Sequence, residues 1–263
     1  DVYPLGTTTI TWTVTDGSGN TSSCTQDVNV TDIEAPSITC APDVSVNTDA
    51  GVCEAQTTVT GPATSDNCSV ASVVNDYNGT SDASDVYPLG TTTITWTVTD
   101  GSGNTSSCTQ DVNVTDAEAP IIDCPIDIVL SECTPTASWS LFATDNCGVS
   151  AISTDIPSGS TFVEGTTTII TVTAIDNSGN VANCTFSVTR DPDLVLVAVA
   201  NPILCFGDTT AVTVSATGGS APYTGTGSYS EVAGTYTYVV VDSKGCSETI
   251  SITIDEPTQL EVA

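Results

Sequence analysis

Residues 1–32, DVYPLGTTTITWTVTDGSGNTSSCTQDVNVTD, recur without a single change as residues 85–116. Residue 1 answers to residue 85, a shift of 84 positions. A perfect repeat of that length marks a tandem array, which is read unit by unit and not as one large domain. The repeat also implies that the chain opens on the back half of a unit. Its first residue is then not a natural domain start.

The repeated segment carries its own fold signal. Thr93-Ile94-Thr95-Trp96-Thr97-Val98-Thr99 alternates, with Ile94, Trp96 and Val98 on one face. Period two with β-branched residues predicts a half-buried strand. Asp100-Gly101-Ser102-Gly103-Asn104 must turn. Ser107 to Thr115 follows as the next strand, with Val112 and Val114 facing inward. Together they predict a hairpin that closes a β-sandwich. No long stretch carries helical periodicity.

Four segments follow from the repeat: 1–32, 33–116, 117–190 and 191–263. In the second, Ser37 to Asn47 reads as an edge strand interrupted by Pro42, which an edge tolerates. Glu54 to Thr60 and Ser69 to Val74 read as further strands. Gly61 to Asn67 is expected to be a loop, and Tyr87-Pro88-Leu89-Gly90 a corner. The third repeats the plan in changed letters. Ile170, Val172 and Ala174 stand where Ile94, Trp96 and Val98 stood. Trp139 or Phe142 is expected to fill the volume of the missing tryptophan. The fourth segment differs, and its tail, Gln259 to Ala263, reads as the first strand of yet another unit.

Composition narrows the function. The chain has 32 acidic residues, two basic ones (Arg190 and Lys244), no histidine and a net charge of −30. A nucleic-acid groove needs clustered Lys and Arg and is excluded. The same charge argues against an anionic membrane surface. Without histidine there is no Ser-His-Asp or Cys-His machinery. No apolar run approaches membrane-span length and no signal peptide is present. The acid serves either solubility by self-repulsion or Ca²⁺ binding by some of the carboxylates. Eleven cysteines without metal-type CxxC pairs imply disulfides and an oxidising compartment.

Motif order then becomes specific. Glu34-Ala35-Pro36, Cys40, Asp66-Asn67-Cys68, Gly90-Thr91-Thr92-Thr93, Asp100 to Asn104 and Cys108 recur as Glu118-Ala119-Pro120, Cys124, Asp145-Asn146-Cys147, Gly165-Thr166-Thr167-Thr168, Asp176 to Asn180 and Cys184. This ordered set, covering residues 1 to about 190, resembles the HYR (hyalin repeat) family. The resemblance implies an extracellular immunoglobulin-like module associated with adhesion and not catalysis. Residues 191–263 carry Cys205-Phe206-Gly207, Gly218-Gly219-Ser220-Ala221-Pro222-Tyr223, Gly234-Thr235-Tyr236 and Gly245-Cys246. They resemble the SprB-type repeat of surface adhesins in gliding Bacteroidetes. The expected fold class is all-β: a tandem array of immunoglobulin-like β-sandwich domains, cross-linked by disulfides.

In an immunoglobulin-like order the first and last strands lie parallel at one edge. Cys40 and Cys108 sit near the starts of those strands, which pairs them, and likewise Cys124 with Cys184. Cys53–Cys68 and Cys133–Cys147 follow by elimination, given a short or bent second strand. Cys205–Cys246 closes the last segment, and Cys24 is assigned a partner before residue 1.

The site expectation is Ca²⁺ at the inter-domain junctions. Three segments of such a sandwich meet at one end: the incoming linker, the loop between strands two and three, and the last hairpin turn. They supply Asp32, Glu34, Asp66, Asn67 and Asp100 in one unit, and Asp116, Glu118, Asp145, Asn146 and Asp176 in the next. Oxygen ligands from converging loops suit a hard cation. The bland alternative is that these side chains cap turns. The Asp100 turn lacks the acidic spacing and terminal Glu of a calcium-hand loop. The row Thr93, Thr95, Thr97, Thr99 reads as the solvated side of a strand before it reads as a ligand face. Tyr77 and Tyr223 could stack on sugars, but packed aromatics are the more ordinary reading. Nothing places two carboxylates in a cleft for glycoside hydrolysis.

The expected function is a non-catalytic structural or adhesive segment of a large secreted cell-surface adhesin, acting as a rigid spacer or fibre. Its expected partners are neighbouring repeats of the same chain, with surface polysaccharide or self-association left open. By resemblance the parent serves attachment or gliding and is exported by the type IX system. The alternatives are a subunit of an extracellular filament or sheath, and a carbohydrate-binding appendage of a secreted enzyme.

Overall fold

The structure, a computed structural model, describes residues 1–259. The strand expected in the tail lies outside the described residues from position 260 on. Every regular element among the described residues is a strand. The chain divides into two compact units, Asp1–Glu118 and a second beginning at Ala119.

The first unit opens on a lone hairpin, β1 (Gly6–Thr15) with β2 (Thr21–Val30). A sandwich follows. Its strands are β3 (Ser37–Thr39), β4 (Val44–Asn47), β5 (Glu54–Thr57), β6 (Ala63–Ser65), β7 (Val70–Asn75), β8 (Asp85–Pro88), β9 (Gly90–Asp100) and β10 (Thr105–Thr115). One sheet runs β4-β10-β9-β7, and the pairs β3-β6 and β5-β8 complete the fold. The expected first strand is thus split at Pro42. Its front part, β3, pairs with β6, and its back part, β4, runs parallel to β10. Proline's missing N–H makes that the natural place to change sheets. Two expectations are corrected here. The loop 61–67 contains β6, and the Tyr87 corner is strand β8, paired with β5.

Trp96 organises this core. It is fully buried with Ile94, Tyr87, Val112 and Val114 around it. Its indole Nε1 donates to Gln110 Oε1 at 3.1 Å, and Gln110 Nε2 donates to the Pro42 carbonyl at 2.8 Å. The buried amide therefore ties the last hairpin to the strand break. In β1–β2 the same letters keep the same register, Trp12 opposite Cys24 as Trp96 is opposite Cys108. They keep the same bond as well, Trp12 Nε1 to Gln26 Oε1 at 3.2 Å. Trp12 is nevertheless 59 % exposed, because among the described residues no further strand joins that sheet. Local pairing sets the hairpin; burial comes from the rest of the sandwich.

The second unit holds two cores. The first has the strands β11 (Ile121–Asp123), β12 (Ile128–Leu130), β13 (Phe142–Thr144), β14 (Val149–Thr154), β15 (Thr167–Asp176) and β16 (Val181–Arg190). Its sheet runs β12-β16-β15-β14, with β12 parallel to β16. Ile170, Val172 and Ala174 are fully buried. Trp139 stacks edge-on to Phe186 at 5.2 Å and takes the missing tryptophan's place; Phe142 is 63 % exposed and does not. The second core is built from β17 (Val195–Ala200), β18 (Thr210–Thr217), β19 (Gly227–Glu231), β20 (Gly234–Val241) and β21 (Ser247–Ile254) around Leu194, Val212 and Val240.

One turn recurs in all of these pieces. Asp100 Oδ1 accepts from the amides of Ser102 at 2.9 Å and Asn104 at 2.8 Å, while Oδ2 takes the Asn104 amide group at 2.7 Å. Asp16 and Asp176 repeat this pattern, and Asp242 Oδ1 accepts from Lys244 and Cys246. Gly103 and Gly179 sit at φ of 92° and 93°, which explains the glycine in the motif. These turns hold their carboxylates well. Desolvation acts to raise Asp100 and Asp176, but the bonds from Asn104, Ser102, Asn180 and Ser178 prevail and keep both below the usual carboxylate value.

The disulfides follow strand ends. Cys40–Cys108 and Cys124–Cys184 join the first and last strands of the two sandwiches, with Cα separations of 5.9 and 6.1 Å. The other expected pairs are overturned. Cys133 bonds Cys246, not Cys147. Cys68 and Cys205 are free thiols, so neither Cys53–Cys68 nor Cys205–Cys246 forms, and Cys53 and Cys147 are each oxidised. Cys24 is an exposed thiol without a disulfide partner among the described residues, and the partner expected for it lies before residue 1. The reason is geometric. Leu130 lies opposite Arg190 and Val149 opposite Asp176, so Cys133 and Cys147 stand at opposite ends of β15 and β16. A ten-residue strand spans roughly 33 Å, while a disulfide needs Cα atoms within about 7 Å. Cys53 lies by the end of β10 and Cys68 by its start. Cys205 and Cys246 are likewise separated by the length of β21.

Two outcomes are expected. Trp96→Ala should destabilise the first sandwich by about 3–5 kcal/mol in urea unfolding, whereas Trp12→Ala, the same residue in the same local sequence, should leave the midpoint unchanged. Equal effects would show that the hairpin alone carries the stability. The Asp100 and Asp176 carboxyls should titrate below an ordinary aspartate in carbon-13 NMR. Their stabilisation is then complete above the unfolded-state value and lost as the pH falls through the lower folded value; an ordinary midpoint would contradict the turn geometry.

Candidate metal centre

At one end of the first sandwich the linker after β2, the loop between β6 and β7, and the β9–β10 turn converge. The linker is tied to the loop by Asn67 Nδ2 donating to Glu34 Oε2 at 3.0 Å. It is tied to the turn by Asn104 Nδ2 donating to the Asp32 carbonyl at 3.3 Å. Gly101 N donates to the Ser69 carbonyl at 3.1 Å and closes the third side. Asp32, Glu34, Asp66, Asn67 and Asp100 are therefore brought together as expected from the topology of the strands.

Their oxygens are not equally available. Asp100 has both oxygens occupied inside its own turn. Glu34 is engaged by Asn67. Asp32 Oδ1 accepts from Glu34 N, and Asp66 Oδ2 from the amides of Cys68 and Ser69. The other two oxygens, Asp32 Oδ2 and Asp66 Oδ1, are shut off from solvent and have no hydrogen-bond partner. Asp32, Asp66 and Cys68 each place a ligand atom within 4.8 Å of the others. Two carboxylate oxygens without donors fit a hard cation, and a buried polar atom without a partner is costly otherwise. The Cys68 sulfur is a soft neighbour that Ca²⁺ would not choose. Desolvation, and then its neighbour Asp32, push the Cys68 thiol up.

The second expected set is divided between the two units. In the first unit Asp116 Oδ1 accepts from Glu118 N at 3.0 Å, and the Glu118 carboxylate accepts from Gly51 N. In the second unit Asp145 Oδ1 accepts from Cys147 N at 2.8 Å, leading into Asn146 and the β13–β14 loop. Asp176 is a buried turn cap with both oxygens occupied. The caps are thus the Asp100 and Asp176 positions, and in the first sandwich the open oxygens are those of Asp32 on the linker and Asp66 on the loop.

Other features read from the sequence are structural. Thr93 Oγ1 donates to Asp111 Oδ1 at 2.7 Å and Thr91 Oγ1 to Asn113 Oδ1 at 2.6 Å, so the threonine face is laced across the hairpin. Tyr77 stacks on Tyr87 at 4.4 Å and bonds the Val86 carbonyl, and Tyr223 bonds the Gly218 carbonyl. Neither ring stands free for a sugar. Two acidic residues went unnoticed in the sequence: Glu132 and Asp242, buried together in the second unit. The signal for Asp242 was present. Asp242-Ser243-Lys244-Gly245-Cys246 is the same turn as Asp100 to Asn104, with cysteine in place of asparagine.

Comparison with known proteins follows this geometry. The model of the HYR domain matches residues 31–114 and 115–190. Hyalin of Strongylocentrotus purpuratus is 31% identical over 200 residues, 72% of this chain and 16% of its own length. A Rattus norvegicus protein named for sushi, von Willebrand factor type A, EGF and pentraxin domains is 32% identical over 211 residues, 76% of this chain and 6% of its own. The serine-rich adhesin for platelets of Staphylococcus aureus is 33% identical over 188 residues, 61% of this chain and 8% of its own. The chain therefore spans a small part of the curated relatives it matches. Among solved structures, the immunoglobulin domains 1–5 of Sidekick-1 align over 92% of this chain and 66% of theirs, at 13% identity and a TM-score of 0.41. With two successive matches over more than half its length, the chain belongs to the HYR domain family.

Proposed function

We propose that this chain is a non-catalytic, load-bearing segment of an extracellular adhesive protein. The observation that carries the reading is the covalent wiring. Each HYR sandwich has its first and last strands joined by a disulfide. A further one, Cys133–Cys246, ties the second sandwich to the segment after it, across 113 residues of sequence. Cross-links over such distances contribute about 4–5 kcal/mol each on the chain-entropy model. They also limit how far the chain can lengthen under force. Small sandwiches with modest cores gain most from them. The names of the relatives, hyalin and an adhesin for platelets among them, support a role in attachment.

The finer reading places the parent protein among secreted surface adhesins of attachment or gliding. The motifs of residues 191–259 that resemble SprB-type repeats support it. In the same reading Asp32 and Asp66 bind Ca²⁺ through their open oxygens, fixing the linker to the sandwich it leads into. The site supplies no reaction: the cation would neutralise two carboxylates that otherwise repel each other.

Two experiments test this. The purified chain should sediment as a monomer at micromolar concentration; concentration-dependent polymers would favour a filament or sheath subunit instead. Thermal unfolding in millimolar Ca²⁺ should lie above that in chelator, and Asp66→Asn should remove the part of the shift due to the first sandwich. An unchanged melting curve on chelation would end the calcium reading while leaving the spacer reading in place.

A further inference from the structure

Glu132 and Asp242 form a second acidic cluster, inside the second unit. Both belong to the joint between the second sandwich and the segment after it. Glu132 follows β12, Asp242 heads the β20–β21 turn, and the Cys133–Cys246 bridge lies beside them. Glu132 is 8% exposed and Asp242 5%. Each places a ligand atom within 4.8 Å of the other. Asp242 is well held, Oδ1 by the amides of Lys244 and Cys246 and Oδ2 by Ser220 N at 2.9 Å. Glu132 Oε2 is shut off from solvent and has no partner.

The chain's basic residues do not neutralise this pair. There are two in the whole sequence. Arg190 donates to the Glu132 and Phe162 backbone carbonyls and pairs with Asp193 at 3.0 Å. Lys244 pairs with Asp191 at 2.7 Å. Both cations are thus at the joint, yet committed to other acceptors. Two buried carboxylates without a counter-charge are strongly unfavourable.

The space between the oxygens is also defined. Gly219, at φ +53°, covers the pair with bare backbone; a Cβ there would lie 3.1 Å from Glu132 Oε2 and 3.2 Å from Asp242 Oδ2. A position between two carboxylate oxygens is kept clear by a glycine. A cleft of about 410 Å³ lined by Glu132, Arg190, Asp193 and Glu248 adjoins it and connects it to solvent. From this arrangement we infer that Glu132 and Asp242 bind a hard divalent cation, Ca²⁺ foremost, that locks the joint beside the Cys133–Cys246 bridge. The bridge sulfur, already bonded to carbon and sulfur, is a bystander. Water entering from the cleft completes the oxygen shell that Ca²⁺ requires.

The test uses the intact chain and separates this site from the one at Asp66. Equilibrium dialysis with radioactive calcium should show Glu132→Gln binding one ion fewer per chain than the native protein. Asp66→Asn should lose a different ion, and the two losses should add. Peptide mapping of the Cys133–Cys246 link confirms that the glutamine variant has folded. Crystals of the native chain soaked in terbium should give an anomalous peak about 2.3–2.6 Å from Glu132 Oε2 and an Asp242 oxygen. Native stoichiometry in Glu132→Gln, or an empty map at this position, would overturn the inference and leave a proton shared by the two carboxylates.

Discussion

The length of a β-strand governs the covalent plan of this protein. The strands β9, β10, β15 and β16 each run ten or eleven residues. They hold the two ends of a sandwich roughly 30 Å apart. Cysteines at the same end close on each other, as Cys40 does on Cys108. Cysteines at opposite ends have to look outside their own sandwich, as Cys133 does when it bonds Cys246. The same sheet that buries Trp96 and Ile170 therefore also forces cross-links from one piece of the array to the next. Core packing and covalent wiring are two consequences of one spacing.

The duplicated segment shows what local sequence can and cannot do. Identical letters give identical registers, the same Trp–Gln bond and the same aspartate-capped turn in β1–β2 and β9–β10. Yet Trp12 is exposed where Trp96 is buried. A hairpin is marginal by itself, and a strand pair needs a further layer to remove its apolar face from water. The tandem arrangement supplies that layer from residues 33–88, which the first copy does not have in this chain.

Much of this was legible from residues alone. Alternation at Ile94, Trp96 and Val98 and its counterpart at Ile170, Val172 and Ala174 placed the buried faces, and Asp100 to Asn104 placed the turn. The convergence of Asp32, Asp66 and Asp100 followed from strand order. What the sequence hid was distance. Elimination left Cys53–Cys68 and Cys133–Cys147 on the condition of a short or bent second strand, but a crossing of the sandwich sets the members of each pair at opposite ends. It also hid Glu132, a single glutamate with no motif around it, whose meaning depends on Asp242 arriving from 110 residues further along. The turn motif at Asp242 could have been noticed; its burial against Glu132 could not.

Acidity takes on a structural meaning in this light. With net charge −30 the chain repels itself, and the few buried carboxylates are where that repulsion is sharpest. Asp100 and Asp176 have their oxygens filled by their own turns, whereas Asp32, Asp66 and Glu132 each keep a buried oxygen without a hydrogen-bond partner. Disulfides then hold together what charge pushes apart. The most direct measurement of that claim is mass spectrometry of peptides from the unreduced protein. A Cys133 peptide joined to a Cys246 peptide, alongside Cys40 joined to Cys108, is the predicted result. A Cys133 peptide joined to Cys147 would mean that the cross-links stay within single sandwiches, and would contradict the account.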